Sequence, residues 1–271
     1  MLNHSDILQY NRPPKLEKDL HCIWLHHFDP YLQLGPFKHE MKHQNPEISV
    51  IHDLINFQET QKIKNLTLGK MKATPYAGSG ESPTYSKLRT SKVKYLNERS
   101  VPEAMVMSKR IELATGFKLY QEYHASENYQ VMNYGIGGKI SSHVDEEGQI
   151  YSKNNTEIEL FESKYLGGLR MVTFMVYLSS VKAGGHTVFP QAGISVKPEI
   201  GSALYWFNVG AKNNYDSRTR HLGCPVLFGN KWIANKWIKW LANYMNFPCK
   251  IYKNHYTINQ TIAPKISSSF V

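Results

Sequence analysis

The sequence predicts an α+β protein with a double-stranded β-helix (jelly roll) core, flanked by helices on its N-terminal side. Two observations lead to this fold class. Apolar residues at helical spacing lie in the first half of the chain, whereas residues 129–238 consist of short β-type runs separated by turn residues. Many short strands with regular turns are typical of sandwiches and jelly rolls, and segregated helices indicate an α+β layout.

The N-terminal part is expected to contain an irregular lead-in and two helices. Residues 1–47 carry prolines, histidines and charges without sustained periodicity, so we predict an irregular linker there. Residues 48–51 predict a short strand, and residues 54–71 have apolar side chains at helical spacing. A second helix is predicted to start with Ser100 as its N-cap, to carry Pro102 in its first turn, and to end at Gly116.

Beyond Gly116 the pattern becomes β. Glycine-rich and proline-containing turns separate the runs, as expected for strands joined by tight connections. Residues 48–246 are then one domain, and residues 247–271 are a polar C-terminal tail. The predicted strands are residues 129–134, 169–178, 186–189, 194–197, 203–207, 224–228 and 231–238.

Composition limits the functions that fit the chain. A hydrophobic content of 41% and an aromatic content of 12% are globular values. Part of the net charge of +10 lies in short clusters, and we find no nucleic-acid-binding module, so we expect no nucleic-acid partner. We find no apolar run that suits a signal peptide or a membrane span. Three cysteines are too few for a disulfide scaffold; a Cys224–Cys249 pair and three buried thiols both fit.

A His-x-Asp pair can deliver two metal ligands from one extended segment, because residues i and i+2 point to the same side. Two such pairs, His4/Asp6 and His27/Asp29, lie in the lead-in. The pair His143/Asp145 follows a predicted strand and a glycine turn, and His221 lies downstream where the strand-rich region ends. Two histidines and one carboxylate suit Fe(II) with open coordination positions. The alternative for such a pair is a surface or capping role.

Lys231 is a candidate anion-binding residue. It begins a strand that is otherwise rich in tryptophan and isoleucine, and a buried ammonium group requires an anionic partner. A site for 2-oxoglutarate needs such a cation for the distal carboxylate of the co-substrate. In the alternative interpretation, Lys231 and Lys236 both extend to solvent from an edge strand.

These residues resemble the catalytic domain of collagen prolyl 4-hydroxylase alpha subunits, which belong to the Fe(II)/2-oxoglutarate dioxygenases. Residues 215–232 are similar to the distal motif of that family, and residues 133–145 are similar to its proximal motif. Residues 183–190 and 201–208 provide further matches. Together the matches extend over roughly residues 48–250, in consistent order.

The resemblance implies a role for each matching residue. Lys231 would bind the distal carboxylate of 2-oxoglutarate, and Thr173 and Tyr177 would line the co-substrate pocket. Trp237 matches a tryptophan near the active site, and Cys224 and Cys249 match an intrachain disulfide. The implied iron ligands are His143, Asp145 and His221. One departure is Ile140, which stands where the family usually has a co-substrate-binding tyrosine; Tyr134 is a candidate replacement.

The implied activity is hydroxylation of peptidyl proline in a procollagen-like substrate to 4-hydroxyproline. Fe(II), 2-oxoglutarate, O2 and L-ascorbate are the implied cofactors and co-substrates. A collagen-like polypeptide and protein disulfide isomerase, as beta subunit, are the implied partners, and the endoplasmic reticulum lumen is the implied location. We expect the chain to represent a catalytic domain alone. Two alternatives remain: hydroxylation of another protein residue, and a non-catalytic paralogue that binds collagen or a partner, which Ile140 favours.

Overall fold

The computed structural model describes residues 20–26, 30–73, 90–119, 124–145, 167–210 and 215–243. Within these ranges the structure is mostly β-sheet with few helices. The helices are α1 (Pro30–Leu34), α2 (Phe57–Thr67) and α3 (Pro102–Thr115), with a 3-10 turn at Ser217–Thr219. The strands are β1 (Cys22–Leu25), β2 (Phe37–Gln44), β3 (Glu47–His52), β4 (Lys72–Ala73), β5 (Lys92–Leu96), β6 (Tyr129–Tyr134), β7 (Ile140–His143), β8 (Arg170–Tyr177), β9 (Ala183–Gly184), β10 (Thr187–Phe189), β11 (Ile194–Val196), β12 (Ala203–Phe207), β13 (His221–Gly223), β14 (Val226–Phe228) and β15 (Lys231–Lys239).

Two sheets contain most of the described strands. The larger has nine strands in the order β1-β2-β3-β12-β8-β15-β6-β5-β4, and the smaller has four in the order β11-β10-β13-β7. Strands β9 and β14 form a separate pair. The pairings at the centre of both sheets are antiparallel.

The nine-stranded sheet buries both of its faces. Along β8, Phe174 and Val176 pack with apolar side chains of α2 and α3. Met175 and Tyr177 pack instead with side chains of β10 and β11, because successive strand residues point to opposite faces. A cavity of about 590 Å³ lies on this second face and is lined by residues of both sheets.

Strand β15 lies at the centre of the large sheet, between β8 and β6. Lys231 points to the cavity, whereas Lys236 points to the opposite face and donates a hydrogen bond to Glu98 Oε2 at 2.9 Å. The exposed fractions of the two lysines are 3% and 0%. The alternative that both extend to solvent from an edge strand is therefore wrong.

The expected irregular lead-in is wrong for residues 22–44, which contain β1, α1 and β2 and extend the large sheet beyond β3. The sequence pattern does not predict β2, because one of the residues that this strand buries is polar. His39 is buried, and its Nε2 shares a hydrogen bond with the hydroxyl of Tyr205 at 2.7 Å. A buried polar group with a partner breaks the apolar alternation that identifies a strand.

Both predicted helices are present with different bounds. Helix α2 starts after Asn56, whose side chain accepts from the Glu59 amide while the Glu59 carboxylate accepts from the Asn56 amide, a capping box. Helix α3 has Val101 as its N-cap without a side-chain cap bond, so the assignment of Ser100 is wrong. Pro102 sits in the first turn of α3, where its missing N–H costs nothing. Gly116 ends the helix at φ 72°, as predicted.

The predicted strands are confirmed, with ends that differ by up to two residues. The pairs His4/Asp6 and His27/Asp29, Cys249 and the tail 247–271 lie outside the described residues. Among the described residues, no helix is long and apolar enough to cross a membrane.

The Lys236–Glu98 pair yields a stability prediction. Substituting Lys236→Met leaves the Glu98 carboxylate buried without its cation, which should lower the free energy of unfolding by about 3 kcal/mol. Chemical denaturation followed by circular dichroism measures this loss. The double variant Lys236→Met/Glu98→Leu should recover part of it, because neither charge is then buried. Equal stability of Lys236→Met and the wild type would contradict the prediction.

Candidate metal centre

Strands β7 and β13 bring the two predicted histidine ligands together. His143 and His221 are directly opposite each other in the antiparallel pairing of these strands. Asp145 follows β7, and its Oδ1 lies 3.5 Å from His143 Nε2 and 3.9 Å from His221 Nε2. The three ligand atoms lie within 4.8 Å of one another, a spacing that one metal ion can bridge.

The backbone orients both imidazoles. His143 Nδ1 lies 2.9 Å from the carbonyl oxygen of Ser141, and His221 Nδ1 lies 3.1 Å from that of Thr219. A carbonyl can only accept a hydrogen bond, so each Nδ1 donates, and each Nε2 is the ring nitrogen that remains to contact a metal. The ring of Trp206 packs edge-on against His221, with centroids 4.6 Å apart.

A hydrogen-bonded chain behind Asp145 fixes its carboxylate. Oδ2 accepts from Thr173 Oγ1 at 2.7 Å and from Trp237 Nε1 at 3.1 Å. Thr173 Oγ1 accepts in turn from Asn208 Nδ2 at 2.9 Å, and Asn208 Oδ1 accepts from Trp206 Nε1 at 2.9 Å. Because both donors to Asp145 bind Oδ2, Oδ1 remains directed at the two imidazoles.

The protonation states suit a divalent cation. Burial lowers the pKa of His221 to about 4, so its imidazole is neutral at pH 7. Burial alone would raise the pKa of Asp145, but its interactions with His221, His143 and Thr173 hold that pKa well below the usual value. The site therefore offers one anionic oxygen and the neutral Nε2 of His221, together with the Nε2 of His143. This donor set fits Fe(II) with positions left for other ligands.

Lys231 lies in the same cavity, buried among aromatic side chains. Its Nζ donates to Thr187 Oγ1 at 3.1 Å and lies 5.9 Å from the ring of Tyr134 and 5.8 Å from that of Tyr177. Burial lowers the pKa of Lys231 to about 7, and no described carboxylate opposes this shift. The ammonium group therefore has room and need for an anion.

The cavity contains six of the eight predicted site residues. His143, Asp145, His221, Lys231, Tyr134 and Trp237 all line it. The other two, Thr173 and Tyr177, are on the same face of β8 as the cavity residue Met175. Thr173 binds Asp145, and the Tyr177 hydroxyl bonds to Thr187 at 2.9 Å, so each contacts a cavity residue. Their role in binding the co-substrate stays a prediction.

Ile140 also lines the cavity, and the absence of a side chain at Gly223 leaves space for it. It pairs with Gly223 on β13, and a Cβ at position 223 would lie only 2.9 Å from Ile140 Cγ2. The Tyr134 hydroxyl, the candidate replacement for a tyrosine at position 140, donates to Met132 Sδ at 3.6 Å.

Sequence reasoning missed three residues of this site: Asn208, Thr187 and Arg170. Arg170 binds both carboxylate oxygens of Glu127, stacks on the Trp237 ring at 3.8 Å, and donates to the Asp145 carbonyl at 3.3 Å. Thr187 and Asn208 lie within residues 183–190 and 201–208, which resemble the family. That resemblance is the sequence signal that could have identified them. Arg170 stands out only as a charge at the start of an apolar strand.

Comparison with known proteins finds a family model that matches the segment around the metal-ligand cluster. Residues 129–239 match the model of the 2OG-Fe(II) oxygenase superfamily, and this segment holds His143, Asp145, His221 and Lys231. These residues are similar to a 2OG-Fe(II) oxygenase domain. The name of the family implies Fe(II) as cofactor and 2-oxoglutarate as co-substrate of such a domain.

The chain is also similar to prolyl 4-hydroxylase alpha subunits. Prolyl 4-hydroxylase subunit alpha-3 of Homo sapiens is 37% identical over 230 residues, covering 85% of this chain and 40% of that protein. Prolyl 4-hydroxylase subunit alpha-1 of Homo sapiens is 34% identical over 244 residues, with coverages of 88% and 43%. The resemblance predicted from the motifs is confirmed. The chain spans about two fifths of the length of these relatives.

A solved structure shares the fold. The viral collagen prolyl hydroxylase vCPH from Paramecium Bursaria Chlorella virus-1, in its 2OG complex, superimposes with a TM-score of 0.51 at 24% identity. The alignment covers 71% of this chain and 95% of that one.

The chain of bonds behind Asp145 yields a metal-binding prediction. Substituting Thr173→Val removes one donor to Oδ2 and should weaken Mn(II) affinity by about 10-fold to 100-fold, because the carboxylate loses its fixed orientation. Titration of the protein with Mn(II), followed by electron paramagnetic resonance, measures this affinity. The control Thr173→Ser keeps the hydroxyl and should bind like the wild type. Equal affinity in Thr173→Val would remove Thr173 from the site.

Proposed function

We propose that this chain is the catalytic domain of an Fe(II)- and 2-oxoglutarate-dependent dioxygenase that hydroxylates C4 of proline in a collagen-like polypeptide. One observation carries the proposal. A single cavity holds a two-histidine, one-carboxylate cluster together with a buried lysine that no described carboxylate neutralises. The names of the relatives support proline as the target residue.

We infer that the nine-stranded and four-stranded sheets are the two walls of a double-stranded β-helix, with α2 and α3 packed outside the larger wall. The shared fold with the viral enzyme supports this assignment. The domain that we propose ends at residue 246, with 247–271 as a tail, and it starts with β1 at Cys22 rather than at the expected residue 48. Strands β1 and β2 add to the edge of the larger wall rather than forming a separate linker.

His143, Asp145 and His221 would hold Fe(II). When bound, Fe(II) and 2-oxoglutarate supply oxidative chemistry in which one atom of O2 enters the substrate C–H bond and the other enters succinate, with release of CO2. The protein contributes the arrangement of the ligands. Two adjacent strands and the Thr173 hydroxyl hold the ligands on one side, and the aromatic rings around His221 exclude water.

Lys231 would bind the distal carboxylate of 2-oxoglutarate. The Thr187 hydroxyl bonds to both Lys231 and Tyr177, so these side chains hold the ammonium group in place. A carboxylate at Nζ would neutralise a charge that is otherwise buried in an apolar setting. Tyr134, opposite Lys231 on the neighbouring strand, would complete the binding site in place of a tyrosine at position 140.

The relatives are named alpha subunits, which supports assembly of the complete protein with a second subunit. We propose protein disulfide isomerase as that partner, the endoplasmic reticulum lumen as the location, and L-ascorbate as the reductant that maintains Fe(II). A Cys224–Cys249 disulfide would accompany this location, since such bonds persist in oxidising compartments.

Mass spectrometry of a (Pro-Pro-Gly)-type peptide tests the activity. With Fe(II), 2-oxoglutarate, O2 and ascorbate, we expect one added oxygen on proline and one succinate per hydroxylation. The variant His143→Ala should abolish both products because a metal ligand is lost, while His52→Ala, outside the cavity, should retain them. An unmodified peptide with succinate release would indicate another acceptor residue, and absence of both would indicate a non-catalytic paralogue.

The low pKa of Lys231 predicts how co-substrate affinity depends on pH. In the free protein, Lys231 is charged below about pH 7 and becomes neutral above it. Because only the charged form attracts a carboxylate, 2-oxoglutarate affinity should be full below pH 7 and fall by up to about tenfold per pH unit above it. Calorimetric titration of the Mn(II)-loaded protein between pH 6 and pH 9 measures this fall.

The matched variants at position 231 separate charge from packing. Lys231→Arg stays charged throughout this range, so its affinity should be independent of pH. Lys231→Met, which has no charge, should bind weakly at every pH. A flat pH profile in the wild type would show that Lys231 does not bind the co-substrate.

A further inference from the structure

The wall of the metal cavity contains a row of polar side chains to which we assign no contact with the metal or with 2-oxoglutarate. Tyr95 on β5, Gln130 on β6 and Asn235 on β15 are direct cross-strand partners, so they form one line across three strands. All three line the cavity. The row begins at the surface, where Tyr95 is 53% exposed, and ends at Asn235, which is only 7% exposed.

Asn235 has hydrogen-bonding groups that the described protein leaves unused. Its Oδ1 is buried without a hydrogen-bond partner, and Nδ2 has only the sulfur of Met132 at 4.0 Å. Sulfur is a weak acceptor, so the carboxamide offers one donor and one acceptor. If the oxygen and nitrogen of the carboxamide are exchanged, it still lacks partners for its donor and its acceptor. A buried polar group without a partner costs about 1–3 kcal/mol, which favours a ligand that supplies both bonds.

The position of Asn235 places that ligand next to the reacting centre. Asn235 lies between Lys231 and Trp237 on the cavity face of β15, and Trp237 bonds to Asp145. Substrate carbon must approach the metal from this cavity. Gln130, the next residue of the row, already donates to the Tyr95 hydroxyl at 2.7 Å, whereas the Oδ1 of Asn235 has no hydrogen-bond partner among the described residues.

The ligand must both donate a hydrogen bond to Asn235 and accept one from it, and this requirement limits its chemistry. The carboxylate and keto oxygens of 2-oxoglutarate only accept hydrogen bonds and would leave Oδ1 unsatisfied. A main-chain residue of an extended peptide presents one N–H and one C=O, which match Oδ1 and Nδ2 of a carboxamide. Proline lacks the N–H, so the matching residue must be a neighbour of the target proline.

We propose that Asn235 is a substrate-binding residue that pairs with the main-chain N–H and C=O of a non-proline residue next to the target proline, at the inner end of the Tyr95–Gln130–Asn235 row. This inference rests on the proposed function, because it requires a peptide substrate. It assigns a recognition role that depends on the peptide main chain and not on the side chain of the neighbouring residue.

The test is a peptide-binding measurement that needs no turnover. The full chain is loaded with Mn(II) and 2-oxoglutarate and titrated with a fluorescent (Pro-Pro-Gly)-type peptide, using anisotropy. Substituting Asn235→Leu, which keeps the size and removes both hydrogen-bonding groups, should raise the peptide Kd by about 10-fold or more. The Kd for 2-oxoglutarate, measured by calorimetry on the same protein, should change by less than about twofold, which also shows that the variant is folded.

Peptides that are N-methylated at one residue at a time locate the contact. At one position beside the proline, N-methylation should weaken binding to the wild type by about 10-fold and have little further effect on Asn235→Leu, because both changes remove the same bond. Asn235→Asp keeps the acceptor and should remain sensitive to methylation at that position.

Three results would overturn the assignment. These are a peptide Kd for Asn235→Leu within twofold of the wild type, a parallel loss of 2-oxoglutarate affinity, and losses from methylation and substitution that add at every position. Failure of the proposed function is separate, since it appears in the unchanged chain as absence of peptide hydroxylation. Wild-type turnover together with an insensitive Asn235→Leu variant would contradict the role of Asn235 alone.

Discussion

The antiparallel pairing of β7 with β13 is the contact on which the site depends. It sets His143 opposite His221 and carries Asp145 to the same point from the residues after β7. The turn that precedes β13 contributes the Thr219 carbonyl that orients His221. Without this pairing, the two histidines, which are distant in sequence, would not lie next to each other, and the donors behind Asp145 would have no cluster to orient.

The two lysines of β15 show how one strand satisfies two buried charges in different ways. Lys236 faces α3 and pairs permanently with Glu98, which also bonds to Ser108. Lys231 faces the cavity, where hydroxyl and aromatic groups surround it and no described carboxylate neutralises it. The first arrangement is complete within the described protein, whereas the second would be completed by the anion that we propose as its ligand. The difference between a structural and a ligand-binding lysine is therefore the presence of an internal partner.

Much of this architecture could be predicted from the sequence, because its signals are local. The apolar runs of β6, β8, β12 and β15 identified strands, and the spacing of the resembling motifs selected His143/Asp145 over the two earlier copies of the pair. Tertiary contacts decided what remained. Strand β2 escaped detection because the buried His39 is paired with Tyr205, which is distant in sequence. The hydrogen bond from Thr173 to Asp145 could not be predicted, because residue order does not show that these side chains meet.

Anomalous X-ray diffraction from crystals soaked in Mn(II), with data collected at the manganese edge, tests the central claim most directly. The account predicts one strong peak per chain, at bonding distance from His143 Nε2, Asp145 Oδ1 and His221 Nε2. A 2-oxoglutarate molecule added to the same crystals should connect that peak to Lys231 Nζ. A strong manganese peak at another position, with none between these three side chains, would contradict the assignment of the metal centre.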